Sequence, residues 1–100
     1  MLMRLDKYRE EIGFICAKHL VKHLYVFGSV LDASFNADSD VDFLVDFQQI
    51  DLNIYAGNYF DLKFKLEQLL KRKVDLLELQ AIKNPYFKSE IDRTKKLIYG

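Results

Sequence analysis

The sequence predicts a small α/β (α+β) domain in which helices pack on one face of a mixed β-sheet. Between Leu5 and Lys22 the apolar residues Leu5, Tyr8, Ile12, Ile15, Cys16 and Leu20 recur at spacings of three and four, the period of an amphipathic helix. Between Asp40 and Phe47 the period drops to two, as a half-buried strand requires. These two patterns alternate along 100 residues, half of them hydrophobic, which is the length of one domain, residues 1–100, around one core.

The elements follow in order. After the first helix, "HLYVFGS" is a short β-prone run that stops at Gly28 and Ser29. Residues Val30 to Ser39 carry Asp32, Ser34, Asn36 and Asp38, which favour caps and turns, so a connecting loop is expected. "DVDFLVDF" alternates strictly, with Asp40, Asp42, Leu44 and Asp46 on one face and Val41, Phe43, Val45 and Phe47 on the other. A polar connection from Gln48 to Asn58 precedes a helical stripe of Tyr59, Leu62, Leu66 and Leu69, widened by Phe60, Phe64 and Leu70. That helix ends near Lys71 to Lys73, where cations suit the negative end of the dipole. "KVDLLEL" reads as a third strand with Asp75 on the face of Leu77 and Leu79. Asn84-Pro85 is a cap and first-turn pair for a short third helix, and Leu97 to Tyr99 is a last extended piece.

Composition excludes several classes of function. Fifteen basic and fifteen acidic residues give zero net charge, so no broad polyanion-binding surface and no direct nucleic-acid binding are expected. One cysteine, Cys16, cannot form an intramolecular disulfide, and its apolar neighbours place it in a packed helix face. The charged amino-terminal stretch does not read as a secretory signal, and no apolar run approaches a membrane span, so a cytoplasmic, soluble protein is expected. His19 and His23 are four apart, yet no third ligand accompanies them, and surface or helix-end roles are the expectation.

Chemistry is concentrated in the carboxylates. Asp40 and Asp42 on one strand, and Asp75 near the start of the next, would lie on one face if the strands are neighbours. Such a cluster is too negative to stand unpaired, and an all-oxygen ligand set suits a hard cation such as Mg²⁺, with room for two ions that clamp a phosphoryl group. Gly28 allows close backbone approach and Ser29 adds donors, so the strand end suits a triphosphate. Asp46, toward the strand end, is expected to cap or face water.

Gly28-Ser29, ten intervening residues and then Asp40-Val41-Asp42 resemble the signature of the DNA polymerase beta nucleotidyltransferase superfamily. The "YVFG" before it, "FLV" after it, the "RKVDLLEL" strand and the tail from "NPYFKSEI" to "LIY" are similar to the minimal nucleotidyltransferase antitoxins of the MntA type, which are encoded beside HEPN ribonuclease toxins. The resemblance implies transfer of AMP from ATP, with Mg²⁺, onto a tyrosine of a HEPN toxin partner in a hetero-oligomer. It also implies that Asp40 and Asp42 hold the metals, that Asp75 completes the site and helps deprotonate the acceptor, and that Gly28 and Ser29 hold the triphosphate. "VLDASF" departs from the basic, Arg-containing turn usual at that place. Fewer cations and an added Asp32 weaken the hold on a triphosphate, unless Lys71, Arg72, Lys73, Lys83 or Lys88 compensates. A second reading is therefore kept: an antitoxin that occludes the toxin by stoichiometric binding.

Overall fold

The computed structural model describes residues 5–28 and 39–100. A 3₁₀ turn (Leu5–Tyr8) leads into α1 (Arg9–Lys18), followed by β1 (Val21–Phe27) and β2 (Val41–Phe47). Next come α2 (Leu52–Leu70), β3 (Val74–Glu78), a 3₁₀ turn (Leu79–Ala81), α3 (Pro85–Thr94) and β4 (Lys96–Tyr99). The strands form one mixed sheet in the order β3-β2-β1-β4. β1 is antiparallel to both β2 and β4, whereas β2 and β3 run parallel. The parallel pair is joined by α2, the kind of crossover that parallel strands need.

The alternation along β2 holds. Val41, Phe43 and Val45 are buried in the main core with Ile12 and Cys16 of α1 and Leu62 and Leu66 of α2. Leu44 belongs to a second cluster on the other face, with Phe27 and Ile91. α1 and α2 therefore form the helical layer on one face, while α3, through Ile91, packs against the opposite face. Periodicity within a helix cannot say which side of a sheet the helix returns to, because that depends on where the preceding strand ends.

Two boundaries differ from the sequence expectation. α1 stops at Lys18 because His19 caps it, with its N–H donating to Cys16 O at 3.1 Å, and Leu20 turns the chain with φ 60° into β1. α2 begins at Leu52, well before Tyr59, with Asp51 as N-cap accepting from Asn53 N at 3.2 Å. Its first turns contain Asn53, Gly57 and Asn58, which are poor helix formers, so they read as a loop although the cap and the packing of the rest of the helix carry them. α2 ends on Lys71 in the left-handed conformation, φ 55° and ψ 42°, its N–H donating to Glu67 O at 2.8 Å. The Asn84 cap is as expected: its side chain accepts from the N–H groups of Tyr86 and Phe87, with Pro85 at the first helical position.

Phe60 and Phe64 do not widen the buried stripe of α2; they are 64% and 53% exposed. Leu62, Leu66 and Leu70 already fill the core side, and residues two positions from Leu62 point away from it. His19 is buried, not superficial, held between Ile15 O and Asp61 Oδ2 at 2.6 Å each. No helix among the described residues is long and apolar enough to cross a membrane.

Candidate active site

The acidic strands meet as the register requires. β2 and β3 pair so that Asp42 stands beside Asp75 and Leu44 beside Leu77, and β1 sets Phe27 opposite Asp42. Asp42 is half-buried, while Asp40 and Asp75 are exposed at the same end of the sheet. Asp42 has its pKa pushed up to about 6, first by burial and then by the negative charges of Asp75 and Asp40. The three carboxylates are therefore electrostatically coupled, and the ionised cluster is held at a cost.

Gly28 closes the site from the β1 side. Its φ is +77°, in the left-handed region, and a Cβ there would run into Asp42 Oδ2 and come within 3.3 Å of Asp42 Cγ. Glycine is thus required both by its backbone conformation and by the carboxylate lying against it. Ser29, the expected phosphate ligand beside it, lies outside the described residues, as does almost all of the loop that follows.

The entry to β2 is fixed from the α2–β3 corner. Arg72 Nη1 donates to Ser39 O at 3.1 Å, and Val41 N donates to Lys73 O at 3.0 Å. Of the cations considered for a phosphate role, Arg72 is the one tied to the segment that delivers Asp40. A charge run at a helix end does not reveal such a bond in the sequence, since the acceptor is a backbone carbonyl 33 residues away.

Oxygen donors of this kind match a hard divalent cation, and bringing one in would relieve the repulsion that raises the Asp42 pKa. The carboxylates do not form a closed cage: among the described residues no three His, Cys, Asp or Glu side chains stand close enough to hold a metal ion. Mg²⁺ tolerates such an open set because it keeps several waters and takes one or two carboxylates together with substrate phosphates. The remaining candidates are engaged elsewhere. Asp46 lies beyond Leu44 and pairs with His23 Nδ1 at 3.3 Å, and His19 pairs with Asp61, so the two histidines share no ligand. Cys16 is fully buried and its thiol pKa is raised by burial to about 12, which leaves it a packing residue.

The profile of the polymerase beta nucleotidyltransferase family matches residues 10–100. The chain belongs to this family. Among its relatives, a candidate protein adenylyltransferase of Methanocaldococcus jannaschii is 36% identical over 94 residues, covering 94% of this chain and 91% of the relative. The protein adenylyltransferase MntA of Thermococcus cleftensis is 38% identical over 64 residues, 64% of this chain and 62% of the relative. A solved structure of a candidate minimal nucleotidyltransferase superposes with a TM-score of 0.75 at 30% identity, covering 92% of this chain and 90% of that one. Two further solved chains, each of lower identity, share the fold. One is in a toxin–antitoxin structure with AMP-PNP, with a TM-score of 0.71 at 22% identity over 92% of this chain and 73% of that one. The other is in a complex of a tri-AMPylated Shewanella oneidensis HEPN toxin with its MNT antitoxin, with a TM-score of 0.66 at 21% identity over 95% and 71% of the two chains. In this member of the family, Gly28, Asp42 and Asp75 occupy one end of the sheet.

Proposed function

We propose that residues 1–100 are one minimal nucleotidyltransferase domain that moves AMP from ATP onto a tyrosine hydroxyl of a HEPN toxin and so neutralises it. The observation that carries the reading is the register that sets Asp42 beside Asp75, with Asp40 two residues before it on the same strand and Gly28, at positive φ, against the Asp42 carboxylate. Support for the acceptor class comes from relatives named as protein adenylyltransferases and from the AMPylated HEPN toxin bound to a protein of the same fold. Support for the donor comes from the AMP-PNP found with another such protein. The reading places the protein in the cytoplasm with its toxin, as a hetero-oligomer.

Asp42 and its acidic neighbours Asp40 and Asp75 would contribute one or two carboxylates to Mg²⁺ at a time, with the triphosphate oxygens and water supplying the remaining ligands. When bound, the metal supplies charge neutralisation for the triphosphate and for the developing charge at the α-phosphorus. The chain's own contribution is positioning. Gly28 and Ser29 present the end of β1 to the triphosphate, with Gly28 bare enough to let Asp42 approach. Arg72 holds Ser39, and through it the start of β2, so that the Asp40 and Asp42 backbone is fixed before substrate arrives. The acceptor oxygen attacks the α-phosphorus, the bond to the β-phosphate oxygen breaks and pyrophosphate leaves. The hydroxyl proton passes to a carboxylate, a role that falls to Asp75, the exposed member of the parallel pair.

The test is incubation with ATP, Mg²⁺ and the co-encoded HEPN protein, read by mass spectrometry of the toxin. Gain of AMP on a tyrosine, lost in Asp40→Ala/Asp42→Ala, is the expected result. The turn sequence "VLDASF", with its lack of cations, favours a second reading, stoichiometric occlusion. Toxin inhibition that persists in the double variant, with no AMP on the toxin of the native complex, would establish occlusion and reject transfer.

A further inference from the structure

A cavity of about 350 Å³ opens at the far end of β2 from the acidic site, between the ends of β2 and β3 and the first turn of α2. That volume lies within the range of small-ligand sites, roughly 300–1,000 Å³. Nothing in the nucleotidyl-transfer reading uses it.

Its walls are of two kinds. Phe47 and Tyr55 stand edge to face with ring centroids 5.5 Å apart, and Leu79 extends this side as aliphatic surface. Against it lie Glu78 and Gln48. Glu78 accepts a hydrogen bond from the Tyr55 hydroxyl, which fixes the carboxylate against the ring and still leaves it further acceptor positions. Gln48 Nε2 donates to Val21 O at 3.4 Å, which orients the amide and leaves its oxygen as an acceptor. Asp46 is paired on the sheet face with His23 Nδ1 at 3.3 Å. Among the described residues, the cavity lining holds no lysine, arginine or histidine.

A space with acceptors and negative charge on one side and an aromatic face on the other is complementary to a cation with several donors and an apolar body. We infer that this cavity binds a guanidinium or ammonium group on an aliphatic stem, the cation against Glu78 and the stem along Tyr55, Phe47 and Leu79. The chemistry is shared by a free alkylguanidine and by an arginine side chain of another protein.

Amide NMR titration of the whole protein with n-butylguanidinium tests this, with N-butylurea as the neutral isostere and Nα-acetylarginine N-methylamide as the peptide form. Saturable shifts confined to Gln48, Tyr55, Glu78 and Leu79, absent with the urea, are expected. Glu78→Gln should weaken the guanidinium about tenfold, the loss of one charge-assisted hydrogen bond. If that variant does not fold, Phe47→Leu serves instead, with a loss of about threefold expected from removal of the aromatic face. Equal affinity of the arginine derivative assigns the site to a protein side chain, and binding of n-butylguanidinium alone assigns it to a free cation. Equal binding of the urea, shifts scattered over the exposed carboxylates, or unchanged affinity in a folded variant would overturn the inference.

Discussion

Replacing Gly28 by alanine perturbs the site through two separate contributions. The backbone sits at φ +77°, where an L side chain costs about 1–2 kcal/mol. The new Cβ would also occupy the position of Asp42 Oδ2, and Asp42 Cγ is only 3.3 Å away, so the carboxylate must move. Because Oδ2 is the free end of a side chain that can rotate, displacing it adds about 1 kcal/mol. A total loss of about 2–3 kcal/mol follows, lowering Tm by roughly 10 °C or more for a chain of this length. Gly57, exposed within α2, is the internal control: nothing lies within 4 Å of its ideal Cβ. Gly57→Ala should gain about 0.5–1 kcal/mol from helix propensity. Urea denaturation of both variants with a matched slope reads the difference, and ATP binding reads the displacement of Asp42. A Gly28→Ala protein as stable as wild type, binding ATP equally well, would refute the close packing of Gly28 on Asp42 and the site built on it.

Asp42→Asn should abolish AMP transfer while stabilising the metal-free protein at neutral pH. The folded pKa, about 6, exceeds the ordinary 3.8, so the ionised form is disfavoured by folding. This destabilisation is full above about pH 6 and fades as pH falls from there toward 3.8. Its removal is worth about 1–2 kcal/mol once solvent screening is allowed for, and the gain over wild type should disappear near pH 4 in thermal melts. Mg²⁺ should raise the Tm of wild type and leave Asp42→Asn unmoved, as differential scanning fluorimetry can show. Phe43→Ala should cost about 3–5 kcal/mol in chemical denaturation, because Phe43 is fully buried between the sheet and α1 and α2. Asn84→Ala should cost about 1 kcal/mol through loss of the α3 cap, with AMP transfer retained.

Strand β2 was legible because period two leaves no ambiguity about faces, and its apolar face is the one in the main core. Asp75 was legible for the same reason. The start of α2 was not, since Asn53, Gly57 and Asn58 carry local preferences that tertiary packing of Leu62, Leu66 and Leu70 overrides. Phe60 and Phe64 misled because helical spacing counts apolar residues without saying which of two opposite stripes meets the sheet. The His19–Asp61 bond spans 42 positions, and no local pattern encodes such a partnership.

By itself the sequence determined the alternation of helix and strand, the pair of carboxylates flanking Val41, the glycine before the loop and the recurrence of an acid at Asp75. These are local properties, written in periods of 3.6 and 2 and in the chemistry of single residues. Tertiary structure alone decided that β2 and β3 are parallel neighbours in a register that sets Asp42 beside Asp75. It also decided that Gly28 lies against Asp42, that Arg72 reaches Ser39, and that α3 covers the face opposite α1 and α2. The reason is that register and facing are fixed by packing and hydrogen bonds between segments distant in the chain, whose combined energy no single segment carries.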